Sequence, residues 1–438
     1  MNISIYTRFF EVSKKKFIYN ALTNSLVKVD KELFSKLKLL RGKTFSIKEM
    51  CEDEIVLQEL KRSSIIIDNC GDDFLQYQAI TWGRRKVSNV YNITIAPTMD
   101  CNYHCYYCFE HPDKEYMSDA TIEKVVKYIN GIKNCKQMNL TWFGGEPLMA
   151  IEQIRKITNK IHLPKRSGKD FSIITNGYYL TKDVVDELED LKIDSLQLTA
   201  DGLFDDYNRV KSMKSDRQCF DTFLKNLDYF VERHKKIRLV LRINLNRQLK
   251  DKFLDIAYFF LNRYPDNHNI FPHPAFLKNI CNTTSQSKAC MYCDGAEKMQ
   301  FSIDLFKKTG NKAFLYPTNT FTECAVRNEN SWAFAPDGCV YKCWENIGNK
   351  KTKIGFLNEK GEIMIDNYPR LLRYLYGADP LNHDDCKKCF YLPICYGGCP
   401  HQRILEEYEN APTDPCAKDN DYIERYLTEI IKYKNSSK

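Results

Sequence analysis

No apolar run in these 438 residues reaches the ~18 that a membrane-spanning helix requires, and the longest candidate, residues 253–261, is broken at Asp255. The opening MNISIYTRFFEVSKKK lacks the order of charge, apolar core and small-residue cleavage site that marks a secretory signal. A cytoplasmic chain with no membrane partner is therefore expected, in a compartment where thiols stay reduced and disulfides are rare. There is no internal repeat, no low-complexity segment and no large excess of one charge. The 65 Lys+Arg against 57 Asp+Glu leave +8, which permits an acidic peptide or a nucleic acid as partner without demanding either. With 43% apolar and 28% charged residues, the chain is neither disordered nor a disulfide scaffold. Cysteine is present in excess: eighteen thiols in a reducing compartment argue for metal or redox chemistry.

The thiols are unevenly spread. Cys101, Cys105 and Cys108 form a triplet, a second set runs from Cys281 to Cys416, and the stretch between holds Cys135 and Cys219. That middle stretch alternates strand and helix signals. Strands are expected at residues 91–98, 139–143, 171–175, 196–199 and 239–245, where β-branched and apolar residues concentrate. Between them lie helical stripes. Ser118 caps one carrying Ile122, Val125, Val126, Ile129 and Ile132; Ile151, Ile154, Ile157 and Ile161 mark the next. Thr181 is expected to cap a third with Val184, Val185, Leu188 and Leu191, and Phe220, Phe223, Leu227 and Val231 form a fourth before a last helix at 250–262. Five or six β-α units of this length predict a parallel sheet or partial barrel of the (β/α)6 kind, its chemistry at the C-terminal strand ends. The triplet follows the first strand and is expected at that mouth.

Residues 1–85 read as separate, with strands at 3–9 and 16–20, a helix begun by Asp30, a helix around 54–61 and a strand at 64–68. Two readings stand: a winged-helix-like module, or a structural extension of the barrel. The C-terminal third is rich in Cys, Gly and Pro, and metal clusters would supply its cross-linking.

Cys101-Asn-Tyr-His-Cys105-Tyr-Tyr-Cys108 is a C-x3-C-x2-C loop. A compact loop can aim three thiolates at one cubane of four irons, leaving one iron open. A zinc site and three unrelated thiols are the alternatives. Zinc favours paired C-x2-C knuckles and four ligands, and His104, inside the loop, would strain it as the fourth.

At these residues the chain resembles the radical SAM superfamily, whose signature is C-x3-C-x-aromatic-C with Tyr107 at the aromatic position. The resemblance continues through Gly144-Gly145-Glu146-Pro147, implied to meet the methionine amino group of S-adenosylmethionine. It then takes in Thr199 and Asp201 in QLTADG and Arg242 in RIN, implied to face the cofactor. Two glycines allow close backbone approach, Glu146 is a negative partner for an ammonium, and Arg242 is a charge on an apolar strand that pairs with the cofactor carboxylate or within the protein. The resemblance implies reductive cleavage of S-adenosylmethionine to a 5′-deoxyadenosyl radical that takes a hydrogen atom from the substrate.

Farther on, Cys324, Gly338 and Cys343 give C-x13-G-x4-C, and Cys386, Cys389, Cys395 and Cys399 give C-x2-C-x5-C-x3-C, with Cys416 beyond. This resembles the SPASM extension of peptide-modifying radical SAM enzymes and implies two auxiliary 4Fe–4S clusters, three in all. Cys386, Cys389, Cys395 and Cys416 would hold one; Cys324, Cys343 and Cys399, with Cys339 as a further candidate, the other. Zinc is the alternative here too. Cys51, Cys70, Cys135 and Cys219 are read as apolar fillers. Cys281, Cys290 and Cys293 either ligate metal or stand in a bridge between domains.

The resemblance divides the chain into an N-terminal peptide-recognition module (1–85), a radical SAM partial barrel (86–305) and a SPASM domain (306–438). An edge strand of the first could take a leader peptide by β-addition. No strongly basic recognition helix is present, so no nucleic-acid partner is expected. The expected function is maturation of a ribosomally made precursor peptide by a thioether or side-chain cross-link, with a flavodoxin or ferredoxin as electron donor. Sulfatase-type oxidation of a protein Ser or Cys is the alternative. Against it, Trp344 follows Cys343 where those enzymes carry an acid, which comes one later as Glu345, and Tyr207-Asn208 stands where they show His-Asp. Glu345, Tyr207 and Tyr341 are the candidate proton acceptors. A non-catalytic electron carrier is the reading from another class, but a carrier needs no cofactor pocket.

Overall fold

The computed structural model describes residues 1–438 apart from 51–52, 88, 111–112, 164–166, 212–217, 278–291, 312–322, 412, 414, 417–420 and 437–438. The chain forms two compact units, one of Met1–Val87, Asp294–Asn328 and Tyr374–Lys438, the other of Ser88–Cys293 and Glu329–Arg373. Among the described residues no helix is long and apolar enough to cross a membrane.

The second unit is built on six strands: β1 (Val90–Ile95), β2 (Gln137–Trp142), β3 (Gly168–Thr175), β4 (Ser195–Thr199), β5 (Arg238–Leu245) and β6 (Ile270–Phe276). They run parallel and in sequential order. Such an order needs a crossover helix at each step. These are α1 (Asp119–Asn130), α2 (Ile151–Lys160), α3 (Lys182–Asp186), α4 (Phe204–Lys211) with α5 (Cys219–Arg233), and α6 (Phe253–Arg263). The expected stripes are buried: Ile122, Val125, Val126 and Ile129 on α1, Ile154 and Ile157 on α2, and Phe220, Phe223, Leu227 and Val231 on α5. Ser118 caps α1 by accepting the Thr121 amide at 3.2 Å. Thr181 stands at the N-cap of α3 in extended conformation, yet its side chain makes no capping hydrogen bond. β6 (IFPHPAF) carries two prolines and is tolerated because it is an edge strand, paired to β5 alone.

The sheet does not stop at β1. β7 (Ser331–Phe334) pairs parallel with it, and β8 (Cys339–Tyr341), β9 (Gly355–Leu357) and β10 (Ile363–Ile365) follow antiparallel, making ten strands. The stretch from 329 to 373 thus supplies four short strands.

In the first unit, Thr7–Val12, Lys15–Asn20 and Ser25–Val29 form a three-stranded antiparallel sheet, and Asn2–Ile3 pairs with Ile66–Ile67. The first hairpin turns at Ser13 and Lys14, both with positive φ (49° and 64°), the pattern of a two-residue turn usually filled by Asn or Gly. Asp30 caps the helix Lys31–Leu40 by accepting the Leu33 amide at 2.8 Å, and Asp53 caps Glu54–Arg62. One apolar core joins Tyr6, Phe10 and Tyr19 to Phe306, Phe390 and Tyr426.

Candidate active site

In the second unit, the loop after β1 carries Cys101, Cys105 and Cys108 to a cavity of about 360 Å³ at the C-terminal strand ends. Of the residues expected there, Tyr107, Gly144, Gly145, Thr199, Arg242 and Glu345 line the same cavity. Thr199 and Arg242 are partners across β4 and β5, so the register itself brings them side by side.

The two glycines serve the backbone. A Cβ at Gly144, which has φ +116°, would stand 2.2 Å from the Thr98 carbonyl oxygen, and one at Gly145 would stand 2.2 Å from that of Asp100. Glycine here lets this turn lie directly on the segment entering Cys101, and Glu146 N donates to Asp100 O at 2.8 Å to fasten it. The Glu146 carboxylate, expected to meet an ammonium, is fully buried and engaged within the protein. It accepts from Leu148 N (3.0 Å), Thr175 Oγ1 (2.6 Å) and Asn176 N (2.8 Å). It therefore ties β2 to β3 at their C-terminal ends.

Behind the cysteine loop lies an ion pair that the sequence reading missed. Lys211 Nζ meets Asp201 Oδ2 at 2.8 Å, with side chains only 3% and 1% exposed. Tyr107 donates its hydroxyl to the same carboxylate oxygen and accepts from Asn244 Nδ2 at 3.2 Å and Lys211 Nζ at 3.3 Å. Burial alone would drive the Lys211 ammonium down; the Asp201 carboxylate and the Cys105 sulfur outweigh it, and the net shift is upward. Lys211 lines the cavity, so a fixed cation faces the thiols. The signal for it was weak, one lysine nine residues past Gly202 of the QLTADG segment with no local pattern around it.

Burial pushes the Cys101 thiol up to about 12, the Glu146 carboxylate adding to it; burial also raises Cys105, with Lys211 pulling back. A thiol in this setting is ionised by a metal, which reverses the local charge balance. Among the described residues no three His, Cys, Asp or Glu side chains gather closely enough to share one metal ion. Three thiols around a common cavity suit a cluster that brings its own sulfides.

Tyr207 is fully buried, its ring 5.1 Å from that of Phe223 and its hydroxyl 3.4 Å from the Asn176 carbonyl oxygen. Tyr341 is fully buried in an apolar cluster with Ala96, Phe143 and Ala333. Trp344 stacks on Phe143 at 5.5 Å, and Glu110, two residues past Cys108, joins Glu345 at the cavity. Burial, with Glu345 beside it, holds the Glu110 carboxyl well above its ordinary range.

The first unit holds a second thiol site. Cys386, Cys389, Cys395 and Cys416 line a cavity of about 250 Å³ together with Arg403. Gly398, with φ +74°, makes room for the Pro415 carbonyl, since a Cβ would stand 2.1 Å from that oxygen; this brings Cys416 alongside. Four thiols around one small cavity fit a fully ligated cluster. Of the other expected ligands, Cys324 and Cys399 belong to this unit and Cys339 and Cys343 to the other. Cys324 follows Glu323, which Arg85 grips while also holding Asp379 at 2.6 Å. Cys399 is the N-cap of the helix Pro400–Glu409, Cys339 lies on β8, and Cys343 is buried. Cys51, Cys281 and Cys290 lie outside the described residues; Cys293 is buried.

A thiol-lined cavity at the C-terminal ends of a parallel sheet defines a cofactor-using enzyme domain of the α/β class. Residues 95–257 form a domain that matches the family described as the Radical SAM superfamily. Among its relatives is the radical SAM cyclopropyl synthase TigE of Paramaledivibacter caminithermalis, 22% identical over 295 residues, 54% of this chain and 62% of that one. The serine-type anaerobic sulfatase-maturating enzyme of Klebsiella aerogenes is 21% identical over 329 residues, covering 68% of this chain and 77% of that one. Native anSMEcpe with bound AdoMet superposes with a TM-score of 0.62 at 19% identity, covering 80% of this chain and 100% of that one. Streptococcus suis SuiB bound to S-adenosylmethionine gives 0.52 at 17%, covering 96% and 99%. Both have also been solved with peptides, anSMEcpe with Cp18Cys and SuiB with its precursor SuiA.

Proposed function

We propose that this chain is a radical SAM maturase that modifies a ribosomally made precursor peptide, installing a thioether or a side-chain cross-link. The observation that supports it most is the convergence of Cys101, Cys105 and Cys108 with Thr199, Arg242 and Lys211 on one cavity. Bound together, a reduced cluster and S-adenosylmethionine supply a 5′-deoxyadenosyl radical able to take a hydrogen atom from an unreactive C–H bond. The three thiols would hold that cluster, and the loop has no fourth cysteine, so one metal corner is left to the nucleotide. The Lys211–Asp201–Tyr107 contacts fix the Tyr107 ring at the cavity. Arg242, steadied by Asn244 Oδ1 at 2.9 Å, offers guanidinium donors to a carboxylate. Phe143 and Trp344 stack at the cavity wall, and Glu345 is the cavity's candidate proton acceptor, with Tyr207 as a further candidate.

In the same reading, Cys386, Cys389, Cys395 and Cys416 would hold one auxiliary cluster; Cys324, Cys343 and Cys399, with Cys339 as a fourth candidate, are the ligand candidates of another. Residues 1–85 form the winged-helix-like recognition module, 86–305 the partial barrel and 306–438 the SPASM domain. Ser25–Val29, paired on one side only, is the edge that would take a leader peptide. A flavodoxin- or ferredoxin-type protein in the cytoplasm supplies the electrons.

The test is anaerobic, dithionite-reduced protein with S-adenosylmethionine and the peptide encoded beside its gene. Release of 5′-deoxyadenosine with loss of two hydrogens from the peptide is expected; no 5′-deoxyadenosine from fully loaded protein would overturn the reading. The likeness to the Klebsiella enzyme, with Glu345 at the cavity, favours a second reading, oxidation of a protein Ser or Cys. An aldehyde-reactive product would decide for it.

A further inference from the structure

The four-thiol cavity of the first unit contains a charge that its ligand role does not require. Arg403, on the helix that Cys399 caps, is 3% exposed. Its Nη2 lies 3.2 Å from Cys386 Sγ, its Nε donates to the Gly397 carbonyl, and its Nη1 faces Glu407 Oε1 at 3.4 Å. All three arms of the guanidinium are thus directed, one to a ligand sulfur, one to the backbone between Cys395 and Cys399, and one to a carboxylate that is 28% exposed. A lysine could not make this fork. A buried cation is costly unless something negative answers it. Glu407 answers it only at its outer edge.

We propose that Arg403 is a positioning residue for the auxiliary cluster held by Cys386, Cys389, Cys395 and Cys416, and that it raises the cluster's reduction potential through its N–H···S contact and its buried charge. This rests on the reading of those four thiols as cluster ligands. Adding an electron to a cluster bound by four thiolates increases its negative charge, and a fixed cation beside a ligand sulfur stabilises the reduced form. Hydrogen bonds to the sulfurs and local charge are the levers by which a protein sets such potentials. The cluster is thereby tuned to accept an electron from the reaction.

The experiment is an anaerobic redox titration of the reconstituted full-length chain with dithionite, followed by electron paramagnetic resonance. It is done in a background where Cys101, Cys105 and Cys108 are replaced by Ala. The relevant signal is the one that Cys386→Ala abolishes. Arg403→Gln should reduce the ratio of reduced to oxidised cluster about tenfold at a fixed potential, a midpoint lowered by about 59 mV for a one-electron couple. Arg403→Lys should recover part of that shift, and Glu407→Gln, which releases the guanidinium from its counter-charge, should move the midpoint upward. Iron and sulfide content are measured in every variant. Unchanged midpoints in Arg403→Gln and Glu407→Gln at full iron content would overturn the proposal and leave the ligand reading intact. If Arg403→Gln binds no cluster, the upward shift in Glu407→Gln decides, and its absence overturns the proposal. A parent protein with no signal removed by Cys386→Ala would overturn the ligand reading itself.

Discussion

Removing the Lys211 ammonium is the sharpest test of how the cavity is held. In Lys211→Met the Asp201 carboxylate, 1% exposed, keeps the Tyr107 hydroxyl as donor to Oδ2, while Oδ1 has no hydrogen-bond donor among the described residues. Breaking a buried ion pair on one side costs about 3–5 kcal/mol, most of it the stranded charge. The unit that holds it has 251 residues, 206 in Ser88–Cys293 and 45 in Glu329–Arg373. For a domain of this size, roughly 2–4 °C of midpoint follows each kcal/mol, so a fall of about 6–20 °C is expected. Lys211→Met with Asp201→Asn should recover most of it, because no charge is then left alone. Differential scanning calorimetry of the two variants and the parent measures both quantities. The sign with pH is also fixed. Lys211 titrates above its ordinary value in the folded state, so its contribution is full below about 10.4 and is lost only as pH rises through the folded value. The gap between parent and variant should therefore be flat from pH 7 to 9. A fall of under about 1 kcal/mol, or no recovery in the double variant, would refute the reasoning.

Cys105→Ala should abolish 5′-deoxyadenosine formation, read by chromatography, while the four-thiol site keeps its iron; retained cleavage would remove Cys105 from the site. Cys395→Ala should lower both iron content and the resistance of residues 374–438 to limited proteolysis, because metal ligation and folding are coupled; an unchanged iron count would take it off the ligand set. In Gly145→Ala the new methyl meets carbonyl oxygens at 2.2 and 2.5 Å, so the backbone must shift, at about 1–3 kcal/mol. Iron retention at the triplet, measured with the other cysteines intact, should fall with it.

The parallel sheet was legible because α1, α2 and α5 bury stripes at helical spacing, and β1 to β5 are short runs in which apolar and β-branched residues concentrate. β6 was not, since prolines at 272 and 274 mask a strand whose outer edge needs no partner. The hairpin at Ser13 and Lys14 was missed for a related reason: its left-handed residues are not the glycine or asparagine that announce such a turn. At the cavity, the cysteines, Thr199 and Arg242 were found by motif and strand position, which fix their neighbours. The three donors to Glu146, from Leu148, Thr175 and Asn176, were not legible, because only the tertiary structure brings them together. Lys211 and Arg403 act from helices, where a single cation has no sequence context that separates it from a solvated one.

The pairing of β7 with β1 joins residues 239 positions apart, as in the 3.0 Å contact from Asn92 Nδ2 to Ser331 Oγ. On the ribosome, β1 therefore emerges early and waits with one ladder of amides and carbonyls bare until residues 331–334 have been made. A bare edge is a template for another chain. A fragment ending at residue 305 would keep the three cysteines of the loop yet lose this late-arriving cover, so expression of the isolated front portion should yield aggregate where the whole chain remains in solution.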